Sequence, residues 1–272
     1  MNLSAWIFAS DLLPKKRSAL EKLVKKSLFV GSTPGIIFGQ LKAAGVDGIE
    51  LLIPKKFSVK EAEQVRKILS IHNLKINSIH EPFRYPLSTT IKHVTKLFLF
   101  AKILDAKVLV LHIDRANKRI FTKEYVEHVK QLEKSYDIAV GYENSQRHHV
   151  LWRRRYSWDQ NLFAKTLLSK NLKITLDTTH LSQAGGDIRK FFQKNKESIV
   201  NIHLSDYKEH RFDKSLRPKA YTHMPLGSGE LPIPEFLELL KKENYKGLVT
   251  MEIDGSLEDL CESARMIRKI LS

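Results

Sequence analysis

Six side chains able to bind a cation or carry a proton stand at matching places in this chain. His80, His112, Glu143, Asp177, His203 and Glu252 each close a short hydrophobic run. Taken singly, a histidine or glutamate at such a place is more commonly a hydrogen-bonded core residue or a loop anchor. Six together point elsewhere, because gathering carboxylates and imidazoles in one cavity costs desolvation and like-charge repulsion that a divalent ion would offset. Beyond two of the runs, Asp177-Thr178-Thr179-His180 and His203-Leu204-Ser205-Asp206 add further ligand-type groups in His180 and Asp206. His223 opens the segment HMPLGSGEL, whose glycines suit a tight turn and are equally read as turn punctuation.

These residues close six of eight such runs, which lie at 3–9, 47–53, 75–80, 106–112, 137–143, 172–177, 198–204 and 247–252. Between them, amphipathic stretches at 33–44, 58–72, 88–104, 122–134, 159–170, 186–195 and 233–243 have helical length, and a last one at 256–271 ends the chain. Strands alternating with helices predict a parallel sheet. Eight such units in 272 residues predict an α/β fold, a single (β/α)8 TIM barrel occupying 1–272 as one domain. In that fold every strand end opens on one face, so residues distant in sequence meet at one mouth. An open doubly wound sheet is the rival, but no glycine-rich phosphate-binding motif follows any run. Two long insertions, 11–30 and 205–232, are expected to shape the mouth.

Hydrophobic residues make up 42% of the chain, enough for a substantial core. The single cysteine, Cys261, excludes an internal disulfide and a cysteine-rich zinc module, so a metal would rest on imidazole and carboxylate. That cysteine usage, with no apolar stretch of membrane-spanning length and no basic leader, predicts a cytoplasmic protein without a membrane anchor. The net charge of +16 suits polyanions or phosphorylated small molecules, yet lysine-rich solvated helix faces account for it equally well. In 147–158 arginines interleave with Trp152, Tyr156 and Trp158, which reads as a phosphate- or nucleic-acid-binding stretch or as a surface loop leading into a helix.

Taken in order, IHEPF, VLHID, YENSQ, LDTTH, IHLSD, HMPLGSGEL and GLVTMEID resemble the xylose isomerase-like barrel superfamily, from about residue 45 to the C-terminus. By that resemblance Glu143, Asp177, His203 and Glu252 hold one divalent ion (Mn, Mg, Co or Zn), as in the isomerase and epimerase branch. Glu143 and Glu252 would then be catalytic, moving a proton between adjacent sugar carbons through an enediol while the ion polarises the carbonyl and hydroxyl oxygens. His80, His112, His180 and His223 would contact the substrate.

The endonuclease IV branch, with three zincs, is also similar. There His80 and His112 would join Glu143 at a first zinc, and His180 and His223 would serve a third. Two departures weigh against it: Tyr221 stands where that branch has an aspartate ligand, and the histidine- and glycine-rich opening is replaced by LSAWIFASDLLPKK. The resemblance therefore implies a metal-dependent isomerase or epimerase of a small sugar, polyol or sugar phosphate. The alternative is a zinc phosphodiesterase acting on abasic DNA. A barrel that only binds, and a dehydratase of an inosose-like ketone, are lesser readings.

Overall fold

The computed structural model describes residues 1–13, 34–82, 90–112, 122–144, 159–209 and 221–272 and, as backbone, 147–150 and 153–156. Eight parallel strands close into a barrel: β1 (Asn2–Phe8), β2 (Gly48–Leu52), β3 (Lys75–His80), β4 (Val108–His112), β5 (Ala139–Glu143), β8 (Lys173–Asp177), β9 (Ile199–Leu204) and β12 (Leu248–Met251). The order round the barrel is β1-β12-β9-β8-β5-β4-β3-β2, and β2 pairs with β1 to close it. Two antiparallel hairpins stand apart, β6 (Arg147–Val150) with β7 (Arg153–Tyr156), and β10 (Asp206–Lys208) with β11 (Tyr221–Met224). The open-sheet alternative is thereby excluded.

Local chemistry sets the helix limits. The helices Val59–Ile71, Ile91–Ile103, Lys123–Tyr136, Gln160–Leu168, Ile188–Asn195 and Leu257–Leu271 each start at a Ser, Thr or Asp whose side chain accepts a backbone N–H of the first turn. Asn73, Asp105, Asp137, Asn171 and Asn244, with φ of 50–56°, follow five of the helices in the left-handed conformation that short polar side chains tolerate. These residues turn the chain tightly back into the next strand.

Alternation along each strand divides its side chains between two environments. In β12, Val249 and Met251 join the large apolar cluster between strands and helices. Thr250 reaches Asn201 of β9 and Glu50 of β2, a strand that is not β12's neighbour, so Thr250 faces the axis. Ser78, Asn201 and Thr250 are fully buried in this inner layer, and the residues two positions further along, His80, His203 and Glu252, form the layer above it.

Compared with the expectations, the strands agree to within two residues at each end. Of the insertion at 11–30, residues 14–30 lie outside the described residues, as do 210–220 of the long connection. The connection supplies the β10–β11 hairpin, and the arginine-rich segment has the backbone of a hairpin rather than a plain loop; its Trp152 and Trp158 lie outside the described residues. A helix that the pattern did not predict, Thr178–Gln183, follows β8 directly.

Packing inside the closed barrel leaves no slack at Gly141 of β5, where a Cβ would lie 2.2 Å from Thr175 Oγ1 and 3.0 Å from Val200 Cγ2. Gly141→Ala should therefore destabilise the fold by about 1–3 kcal/mol in urea titration. An unchanged midpoint would show that the β5–β8 contact is looser than this.

Candidate metal centre

The strand ends converge. Glu143, Asp177, His203 and Glu252 each bring one ligand atom to within 4.8 Å of the others, and all four are buried. Two triads adjoin this quartet: His80–His112–Glu143 shares Glu143 with it, and Asp177–His180–His223 shares Asp177. The eight residues given metal or substrate roles by the family resemblance thus lie in one continuous cluster, which does not include Asp206.

Each element supplies its side chain for a traceable reason. Asp177 caps the helix Thr178–Gln183, its Oδ1 accepting His180 N–H at 2.6 Å, while Oδ2 turns to the cavity. Asn144 clamps β5 to β8: Asp177 N–H donates to Asn144 Oδ1 (2.7 Å) and Asn144 Nδ2 donates to the Asp177 carbonyl (3.0 Å). His180 Nδ1 donates to the Asn144 carbonyl at 2.8 Å, and His80 Nδ1 to that of Glu81 at 2.7 Å. Each ring is thereby oriented, His180 with Nε2 left without a hydrogen-bond partner and His80 with Nε2 turned to Glu143 Oε2. His223 has φ +53°, and its carbonyl accepts Asp254 N–H at 2.6 Å.

Asp206 corrects an expectation. It is not a spare ligand, because both its oxygens accept backbone N–H groups: Tyr207 and Leu231 at Oδ1 (2.8 and 3.0 Å), Gly227 and Gly229 at Oδ2 (3.0 and 2.9 Å). The glycines of HMPLGSGEL exceed punctuation for the same reason, since a Cβ at Gly229 would lie 2.3 Å from Asp206 Oδ1. Asp206 thus fixes the loop that follows His223.

Two buried acids escaped sequence reasoning. Glu81 Oε1 accepts His112 N–H at 2.5 Å. Glu50, in the middle of β2, stands 2.9 Å from His203 Nε2. The available signal was a single carboxylate inside the apolar run GIELLI.

The donor set fits a cation. In the quartet, Glu143 Oε1, Asp177 Oδ2, His203 Nδ1 and Glu252 Oε2 are buried without a hydrogen-bond partner. Nevertheless His203 Nδ1 lies 2.9 Å from Glu252 Oε2 and 3.6 Å from Glu143 Oε1. Atoms bound to one ion at 2.0–2.2 Å sit about 2.9–3.6 Å from their neighbours in its shell. The same spacing recurs where His80 Nε2 and His112 Nε2 approach Glu143 Oε2, at 3.2 and 3.1 Å. Within the quartet, approach without mutual hydrogen-bond alignment is what donors aimed at a common point produce; His80 Nε2, by contrast, is hydrogen-bonded to Glu143 Oε2.

Electrostatics agrees. Burial alone would raise the Glu143 carboxyl, but His203, His112 and His180 hold it well below its ordinary value; for Glu252, burial is overridden in the same way by His223 and His203. Asp177 is raised, by burial and by its carboxylate neighbours Glu252 and Glu143. Burial would lower His203 and His180, yet Glu50 and Glu143 push the first well up, and Asp177 and Glu143 push the second to about 9. Since the folded value of His180 exceeds its ordinary 6.5, its contribution is full below pH 6.5 and is lost as pH rises through about 9. With chelator present, the thermal midpoint should fall across that window; a flat or rising midpoint would contradict the charge pairing.

Comparison with known proteins identifies the fold and the family. The chain is 22% identical over 236 residues to the uncharacterized protein ML2432 of Mycobacterium leprae (strain TN), covering 78% of this chain and 81% of that one. A D-tagatose 3-epimerase-like protein superposes with a TM-score of 0.66 at 18% identity, over 100% of this chain and 97% of the other. An AP endonuclease, family 2, from Brucella melitensis does so with a TM-score of 0.61 at 17% identity, over 94% and 95%. Sugar epimerases, isomerases and a dehydratase are among the barrels of this shape. At such identities the shared property is the fold. The sequence profile described as xylose isomerase-like TIM barrel matches residues 38–270, and the chain belongs to that family.

Proposed function

We propose that this protein, one barrel domain spanning 1–272, is a divalent-metal-dependent isomerase or epimerase of a small sugar, polyol or sugar phosphate. The observation that carries the reading is the quartet, in which every member offers a buried atom that no hydrogen bond engages. Glu143, Asp177, His203 and Glu252 hold the ion, with Mn, Mg, Co and Zn all compatible with mixed imidazole and carboxylate ligation. When bound, the ion polarises the oxygens of the substrate. Glu143 and Glu252 are the proton carriers: one takes the proton from the carbon beside the carbonyl and a carboxyl returns a proton to the adjacent or same carbon, so that no oxidant is needed. His80, His112, His180 and His223 line the approach as hydrogen-bonding partners for hydroxyls. The buried thiol of Cys261 suits a reducing cytoplasm, and no helix among the described residues is long and apolar enough to cross a membrane.

One observation favours a second reading. The two triads extend the quartet into three adjoining ligand groups, an arrangement suited to several zincs and to a phosphodiesterase acting on abasic DNA. Tyr221, 47% exposed at the start of β11, replaces the carboxylate which the third zinc would want.

The metal-loaded chain should contain about one ion and should exchange solvent deuterium into a ketose or its phosphate. Glu143→Gln should lower that exchange by about 10²–10⁴-fold, the usual worth of a positioned acid or base. Two or three zincs, with EDTA-sensitive cleavage of an abasic oligonucleotide and no exchange, would replace this proposal with the second reading.

A further inference from the structure

Below the quartet lies a carboxylate that the metal reading leaves unassigned. Glu50 is fully buried, and its Oε2 accepts from Ser78 Oγ at 2.6 Å and from Asn201 Nδ2 at 2.8 Å. Thr250 Oγ1 donates to Asn201 Oδ1 at 3.1 Å, which keeps the Asn201 NH2 turned toward Glu50. Donors from β3 and β9 thus lock one oxygen, and the other, Oε1, faces His203 Nε2 at 2.9 Å. The two atoms stand at ion-pair distance without hydrogen-bond alignment. A bare Nε2 would oppose two lone pairs at that separation, so Nε2 carries a proton; Nδ1 stands equally close to Glu252 Oε2, and with an ion in the quartet it is Nδ1 that gives up its proton.

Glu50, His80 and His203 also cluster closely enough to suggest a cation site of their own. The neighbours argue against it: Glu50 Oε2 is saturated by donors, and His80 has Nδ1 on the Glu81 carbonyl and Nε2 at Glu143.

We propose that Glu50 is a positioning residue which sets the tautomer of His203, keeping Nε2 protonated so that Nδ1 carries the lone pair toward Glu143 and Glu252. This rests on the reading of His203 as a metal ligand. A carboxylate behind a ligating imidazole fixes the ring and raises its basicity, and losing such a partner typically weakens metal affinity about 10–100-fold. Replacement by glutamine is informative because it keeps the shape and reverses the polarity. Ser78 and Asn201 would retain the amide oxygen at the Oε2 place, leaving the NH2 against Nε2. That arrangement favours the proton on Nδ1, where no lone pair remains for a metal.

The test uses Zn²⁺ alone, titrated against a chromophoric chelator, with ¹⁵N-imidazole NMR of the wild-type chain and of Glu50→Gln. Wild type loaded with Zn²⁺ should carry its His203 proton on Nε2. Glu50→Gln should bind Zn²⁺ about 10–100-fold more weakly, with the neutral ring protonated on Nδ1. Unchanged affinity in Glu50→Gln, or weakened affinity with the tautomer unchanged, would overturn the proposal while leaving the metal reading intact. Should the variant not fold, the wild-type spectrum decides, and a proton on Nδ1 in the loaded protein overturns the assignment. A wild-type chain that binds no Zn²⁺ removes both this inference and the reading beneath it.

Discussion

Charge held out of water is the constraint on which this mouth depends. Glu50, Glu81, Glu143, Asp177 and Glu252 are all within 2% of complete burial. No lysine or arginine is buried with them among the described residues; the cations at hand are imidazoles. That choice has a consequence. A lysine would compensate an acid permanently, whereas an imidazole raised in pKa by its acidic neighbours gives up its proton when a metal arrives and offers the same nitrogen as a ligand. The cluster can therefore be held together without an ion and remain ready for one.

The barrel makes this affordable by stacking two inner layers of different character. Ser78, Asn201, Thr250 and one oxygen of Glu50 satisfy each other in the lower layer. The upper layer is left with atoms that have no such partner, and it is there that the ligand groups meet. Side chains are placed twice over in several instances: Asp177 caps a helix with one oxygen and presents the other, and Asn144 joins two strands while its carbonyl orients His180. Rigidity of these side chains is thus a by-product of interactions that already stabilise the fold.

Membership in the xylose isomerase-like TIM barrel family fixes the fold without choosing a reaction, because one barrel supports many reactions through its loops. In this chain the loop at 223–231 is held by Asp206, which accepts four backbone N–H groups.

Periodicity alone determined the architecture, since alternating apolar runs and capped amphipathic stretches leave a parallel closed sheet as the economical way to bury both. The strand ends then announced His80, His112, Glu143, Asp177, His203 and Glu252, because a polar residue ending an apolar run is visible locally. What the chain order could not disclose was polar residues whose role arises across the axis. Glu50 meets Ser78 across the β2–β3 pair, but it meets Asn201 and His203 only when the barrel closes, at sequence separations of up to 153. Asp206 looked like a ligand because its type is right, and only the folded loop reveals that its lone pairs are already taken by backbone N–H groups. Residue type and period are written along the chain, but which lone pair remains available is decided by neighbours that sequence distance hides.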